Sequence, residues 1–403
     1  MHPTPEELPE LVRHWHREST SWIPKGLGSR LRWGPPVAGN CTPLSMARLD
    51  RVLELNPGDF TITVEAGAPL LEVQRVLASH GQWLAVDLPW GTHPLADPQG
   101  PGGGGSMGGL VARGLAGGYR QRYMGLRDQL IGIGLLRTDG TAARAGGRVV
   151  KNVAGYDLMR LLAGSWGSLA LITELSLRTM PLPPHRAGLL VQGEGNLLAA
   201  LATGLARSTL TPERIDWWST PLCEGAGLEA RPALLIALAS VEASCLEDQL
   251  AAVASLTPLP SRRLPPEEVE SLLQEARGGD LSREQPVWLL RIGVNPDGAP
   301  LVVEKGAGLG LKLEMGAGSG LGMAWCFHAI TAAEVEALRS FCQELGGHLT
   351  VLIQPENTQL VAWADAPAKA LIEAVKRQFD PKDQLSPGRL PGVAMPAQPV
   401  ATR

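Results

Sequence analysis

The chain has 403 residues, 44% of them hydrophobic, enough to bury a large core and to predict two or three domains. Its 36 Lys and Arg nearly balance 40 Asp and Glu, so no general electrostatic attraction to nucleic acid or anionic lipid is expected. No apolar stretch reaches about 18 residues, and the opening MHPTPEELPELVRHW lacks the basic end and apolar run of a secretory signal. A cytosolic protein is expected, or one held at a membrane only through a partner.

Taken in order, residues 59–66 (DFTITVEA) alternate apolar and polar side chains with β-branched types, which predicts a strand. Gly67 ends it. Pro69 then stands where a first helical turn tolerates a missing N–H, Leu70, Val73, Val76 and Leu77 recur at helical spacing, and Gly81 stops the helix.

Residues 102–118 read GGGGSMGGLVARGLAGG, and glycines this dense let backbone N–H groups come close to a bound anion. A flexible linker is the alternative for residues 102–105 alone. A linker gives no reason for the run to enter Met107, Leu110, Val111, Ala112 and Leu115, which have the pattern of packed residues, so a phosphate-binding loop is the preferred reading. GxSxG spacing occurs at Gly104, Ser106 and Gly108, but no strand leads into it, which argues against a nucleophile elbow.

Residues 130–137 and 141–144 flank Asp139-Gly140, a hairpin signal, so the sheet is at least partly antiparallel. Residues 149–177 (VVKNVAGYDLMRLLAGSWGSLALITELSL) predict a loop, a short helix over 156–163, a tight turn at 164–167 and a buried strand over 169–177. After the prolines at 181–184 the pattern becomes strands alternating with Ala- and Leu-rich helices, which marks a second domain. There, helices are expected over 197–206, 246–256 and 332–345, the last opened by Thr331, with strands over 234–239, 288–294, 311–315 and 348–353. A closing helix over 367–379 precedes an irregular, proline-bearing tail.

Candidates for chemistry are sparse in this second part. Arg291, Lys312 and Glu314 sit in strands, where a charge on a solvent face is preferred over a cleft. His185, His328 and His348 are far apart and read as surface or hydrogen-bonded side chains, and Trp217-Trp218 as core. The cysteines at 41, 223, 245, 326 and 342 have no CxxC spacing, so neither zinc nor an iron–sulfur cluster is expected, and no metal site is assigned.

The ordered segments PKGLGSRLRWG (24–34), TVEAGAPLLEVQRVL (63–77), GSMGGLVARGLAGG (105–118), RDQLIGIGLLRTDG (127–140), KNVAGYDLMRLLAGSWGSLALITELSL (151–177) and FDPKDQLSPGRL (379–390) together resemble the vanillyl-alcohol-oxidase-type flavoproteins. Within that family the chain looks most like FAD-binding E subunits of glycolate oxidase, or glycolate dehydrogenase. The resemblance implies an α+β protein: a PCMH-type FAD-binding domain of two subdomains over 1–183, an α/β cap over 184–365, and a C-terminal helix and tail, 366–403, returning to the first domain.

It implies FAD as cofactor, with Lys25, Gly26, Leu27, Gly28 and Ser29 in a first pyrophosphate loop and Ser106, Met107, Gly108, Gly109 and Ala112 in a second. Gly155, Gly164, Ser165, Gly167 and Ile172 would line the adenine and ribityl side. Lys25, Arg30 and Arg113 flank these loops with the positive charge a diphosphate needs. The first loop lacks the His of covalently flavinylated relatives, which implies noncovalent FAD. Arg113 and Gly114 stand where many relatives have Thr and Asn, and Ser386 where the terminal motif commonly has Asn.

By resemblance the function is oxidation of glycolate or a similar 2-hydroxy acid within a complex, beside a paralogous flavoprotein subunit and an iron–sulfur subunit. A self-sufficient FAD-dependent oxidoreductase and a structural subunit without flavin are the alternatives. No catalytic base is assigned.

Overall fold

A computed structural model describes residues 1–100, 102–148, 157–278 and 285–395. Two sheets organise the chain. The first has five antiparallel strands in the spatial order Val52–Asn56, Thr61–Glu65, Leu171–Arg178, Leu130–Leu136 and Ala142–Gly146. The helices Leu70–Ala78, Met107–Arg113 and Leu158–Leu162 bury Leu70, Val73, Leu77, Met107, Leu110, Val111 and Leu162 against Ile62, Val64 and Leu175 of this sheet. Pro69 is the N-cap of the first of these helices, one position earlier than its sequence role suggested.

Beside it, Trp22–Lys25 runs parallel to Thr42–Ser45, a short pairing that carries the first loop of interest at its end. The C-terminal tail completes this region: the Trp22 N–H donates to Gln384 O at 2.8 Å and the Ser386 N–H to Trp22 O at 2.9 Å. Its helix, Lys369–Phe379, begins two residues after Pro367, since the N-cap is Ala368. The buried Lys376 ammonium holds the tail by donating to Ser168 O and Leu385 O, both at 2.8 Å, and to Asp380 Oδ2 at 2.6 Å.

The second sheet has eight antiparallel strands in the order Ser261–Leu264, His185–Gln192, Ala233–Ser240, Arg214–Trp218, Lys312–Gly316, Leu321–Cys326, Trp288–Gly293 and His348–Ile353. Successive side chains on a strand point to opposite faces, and the sequence obeys this with few exceptions. Ile215, Trp217, Leu234, Ile236, Trp288, Leu290, Leu313 and Met315 lie under the helices Gly195–Ala206, Ala243–Ser255, Ala299–Gly308 and Ala332–Glu344. Thr331 opens the last helix with a reciprocal capping box to Glu334, a feature worth about 1 kcal/mol.

The intervening residues face the other way, toward the first region. Leu190, Trp218, Leu235, Leu289, Trp325 and Leu352 pack there with Trp33, Trp90 and Trp166 in one shared core. This second covered face is what decides the chemistry of the strand charges.

Candidate functional site

The first loop leaves the sheet at Lys25, anchored by buried Trp22 and Ile23, and turns through residues 26–30 with Gly28 at φ +78°, a conformation glycine adopts without a Cβ clash. Among the described residues, the N–H groups of Gly26, Leu27, Gly28, Ser29 and Arg30 find no protein acceptor. A side chain at Gly26 would run into the Ser106 hydroxyl, so the first and second loops touch here.

The second loop turns at Gly104 and Gly105 into the helix Met107–Arg113, whose N-cap Ser106 accepts the Gly109 N–H at 3.3 Å. The first helical turn is not a row of free donors. The Met107 N–H donates to Ala68 O at 2.9 Å and the Gly108 N–H to Ala66 O at 2.7 Å. The two neighbouring glycines therefore differ: a Cβ on Gly108 would press on the Ala66 carbonyl at 2.9 Å, whereas one on Gly109 meets only the Ser106 hydroxyl, at 3.2 Å, and faces the cleft. Free amides in this cleft belong mainly to the first loop.

Lys25, Gly26, Leu27, Gly28, Ser29, Ser106, Gly108, Gly109, Ala112, Gly167 and Ile172 converge on one cleft of about 890 Å³, including its open mouth. Met107 does not line it, because its side chain is fully buried under the sheet. Gly164 and Ser165 lie behind the wall: the Gly164 N–H donates to Val111 O at 2.9 Å, and Ser165 is buried in the turn with its N–H on Leu162 O at 3.1 Å. Gly155 falls outside the described residues. Sequence reasoning missed Ile23, Met46, Pro89 and Trp166 as cleft residues; all are apolar and carry no signal of their own.

Charge completes the cleft. Arg30, Arg113 and Arg389 line it, and among the described residues none of them pairs with a carboxylate. Their donors go to neutral acceptors: Arg30 to Gly104 O and Thr92 Oγ1, both at 2.8 Å, Arg113 to Arg30 O at 2.8 Å, and Arg389 to Leu31 O at 2.8 Å. Burial pushes Arg30 down to about 10. Burial, then Arg389 and Arg30, push Arg113 down to about 9, and burial pushes Arg389 to about 10. Arginine keeps its proton in practice, so the cleft holds buried positive charge, which favours an incoming anion. Arg113 also lies over the Trp166 ring, 3.9 Å from its centroid, and Trp166 holds φ +58° in the turn beside it.

A second cleft opens between the two sheets and shares Pro89 and Leu115 with the first. Asp87, Arg186, Arg214, Arg277, Arg291 and Glu314 line it. The solvent-face expectation for the strand charges is corrected here. Arg291 donates to Gly114 O at 2.8 Å in the first region, and Glu314 accepts from buried Arg214 at 2.7 Å, because alternation points both at the other sheet's territory. Lys312 is half-buried. Trp217 and Trp218 are core residues, and His185, His328 and His348 are all exposed. Among the described residues, no group of three His, Cys, Asp or Glu is placed to hold a metal, and no helix is long and apolar enough to cross a membrane.

Residues 3–146, which supply both loops and most of the arginine cluster, match the family model described as FAD binding domain. This chain carries an FAD-binding domain. The cleft fits that cofactor on its own terms: free amides and arginines without counter-charge are what a diphosphate requires. The chain is similar to glycolate oxidase subunit GlcE of Escherichia coli (strain K12), 33% identical over 198 residues, covering 49% of this chain and 52% of that protein. It is also similar to glycolate oxidase subunit GlcD of Bacillus subtilis (strain 168), 31% identical over 222 residues, covering 54% and 44%. A mitochondrial D-lactate dehydrogenase [cytochrome] of Arabidopsis thaliana is 30% identical over 182 residues, covering 45% and 30%.

The matches thus span about half of the first relative and less of the others. Among solved structures, an alkyldihydroxyacetonephosphate synthase superposes with a TM-score of 0.65 at 16% identity, covering 96% of this chain and 76% of that one. The chain has the PCMH-type FAD-binding fold, α+β, with the second sheet included in the match.

Proposed function

We propose that this protein is an FAD-linked oxidoreductase of a small 2-hydroxy acid, acting as the FAD-binding subunit of a glycolate dehydrogenase complex. The observation that carries the reading is the cleft of the FAD-binding domain, where, among the described residues, three arginines without a carboxylate partner meet five backbone amides without a backbone partner. Residues 1–183 would form the FAD-binding domain, 184–365 the cap, and 366–403 the returning tail that contributes Arg389.

In this reading Lys25, Arg30, Arg113 and Arg389 neutralise the diphosphate, and the amides of residues 26–30 donate to it. When bound, the flavin supplies a hydride acceptor. Arg291 and the tryptophans of the shared core tie the cap to the FAD-binding domain beside the second cleft. No His, Cys or Tyr lines the first cleft among the described residues, which supports noncovalent FAD. Cys223, Cys326 and Cys342 are buried, and the five cysteines have no CxxC spacing for a cluster. Onward electron transfer would then fall to an iron–sulfur partner, beside a paralogous flavoprotein, and any membrane attachment to those partners.

The self-sufficient oxidoreductase is the second reading, favoured by the charged second cleft directly beside the first. Purification from the native extract decides between them. The complex reading expects both partners to co-purify and the isolated chain to oxidise glycolate poorly with an artificial acceptor. Full activity of the chain alone would replace it with the second reading. Acid precipitation should leave a yellow supernatant; colour retained by the denatured chain would overturn noncovalent binding, and a colourless protein that cannot be reconstituted would leave the structural-subunit alternative.

A further inference from the structure

Arg214 is buried, and its guanidinium meets three carboxylates: Asp216 at Nε, Asp87 at 3.3 Å from Nη1, and Glu314 at 2.7 Å from Nη2. Asp87 comes from the FAD-binding domain, where it also accepts the Gly117 N–H at 3.0 Å; the other three side chains come from the second sheet. One guanidinium against three carboxylates, Asp216 buried and Asp87 and Glu314 mostly so, leaves an excess of negative charge that a low-dielectric site disfavours. A proton would relieve the excess. Asp216 Oδ1 is buried without a hydrogen-bond partner, and Asp216 and Glu314 share the Arg214 guanidinium. Asp216 is fully buried behind the pair, whereas Glu314 lines the second cleft with its side chain 16% exposed.

We propose that the Glu314–Asp216 carboxyl pair accepts the hydroxyl proton of the 2-hydroxy acid, with Glu314 as the catalytic residue and Asp216 and Arg214 as positioning residues. This rests on the FAD-linked oxidation proposed above. In the step, the substrate O–H bond breaks and its proton goes to Glu314. The carbon-bound hydrogen leaves with its electron pair as hydride to the flavin, the oxidant, and the carbonyl double bond forms. The accepted proton returns to water through the cleft.

The groups facing Glu314 set when it can act. Burial is the largest influence and raises it, Asp216 and Asp87 raise it further, and Arg214 and Arg277 oppose them, leaving it at about 8. Burial raises Asp216 as well, and Tyr119 lies against Arg214, its ring centroid 5.0 Å away. The pair therefore holds a proton at neutral pH and becomes a base as pH rises through about 8.

The test uses the FAD-loaded full chain with Glu314→Gln and Glu314→Asp. The infrared spectrum of the wild type should show a protonated-carboxyl band at neutral pH that titrates out near pH 8, absent from Glu314→Gln; the same band in that variant would overturn the proposal. Anaerobic flavin reduction by glycolate, D-lactate or D-2-hydroxyglutarate should speed up with pH through the same range. It should slow by about 10²-fold or more in Glu314→Gln, with partial recovery in Glu314→Asp and unchanged FAD affinity. Undiminished reduction in Glu314→Gln sinks the proton-acceptor role alone. A wild-type flavin that none of these acids reduces sinks the oxidoreductase reading and this role with it.

Discussion

Two arginine-centred sites lie on either side of Pro89 and Leu115, and they are opposites. In the FAD cleft, Arg30, Arg113 and Arg389 have neutral acceptors and, among the described residues, no carboxylates; around Arg214, three carboxylates crowd one guanidinium. Each site is electrically incomplete, and the sign of what it lacks indicates what it takes up: a polyanion in the first, a proton in the second. A saturated ion pair such as Arg51 with Glu65, at 2.9 Å, lacks nothing and indicates only structure.

The largest effect that would sharpen this contrast is expected from Arg214→Met. Removing the cation that contacts all three carboxylates should cost about 3–5 kcal/mol of stability, read as a lowered denaturation midpoint. A loss near zero would mean that the trio is already neutral without Arg214. Arg113→Met should behave in the opposite way. It should weaken FAD binding about 10- to 100-fold, by loss of charge-assisted contacts, while costing the FAD-free protein little, because no counter-charge is stranded. Equal damage to FAD-free and FAD-bound stability would make Arg113 a structural residue.

Gly109→Val should raise the FAD dissociation constant at least about ten-fold, about 1.4 kcal/mol, without unfolding the chain, because its new side chain points into the cleft. Gly108→Val should instead lower stability, because it meets the Ala66 backbone. Identical behaviour of the two variants would break the distinction drawn between them.

The smallest effect concerns pH. Glu314 sits at about 8 in the folded protein against an ordinary 4.5, so the folded state holds an extra proton between these values. Its contribution to stability is complete below the lower value and is lost as pH rises through the upper one, with a slope of at most about 1.4 kcal/mol per pH unit. Denaturant titrations should show this decline in the wild type and a flatter profile in Glu314→Gln. Parallel profiles would place the extra proton elsewhere.

The difference between the sites also explains what could be read in advance. The first loop, Ser106, Gly109 and Gly167 were legible because backbone access to a phosphate forces glycine into clustered local patterns. Arg30 and Arg113 were legible as neighbours of those loops. Arg389 joins them from the far end of the chain only because the tail pairs with Trp22. The occupied amides of Met107 and Gly108 were not legible, since their acceptors, Ala68 and Ala66, are carbonyls that every residue possesses.

By itself the sequence determined most of the strands and helices, the covered face of each strand, and the glycine loops, because each depends on periodicity or on φ preferences within a few residues. The cysteine spacing likewise gave no local pattern for a cluster. Tertiary structure alone decided that the second face of the eight-stranded sheet is covered too. Alternation tells which residues share a face and not what lies opposite it, so Arg291 and Glu314 read equally well as solvent charges. Only the docking of that face on the FAD-binding domain brings Asp87 to Arg214 and gathers an ordinary row of strand charges into one carboxylate cluster around a guanidinium.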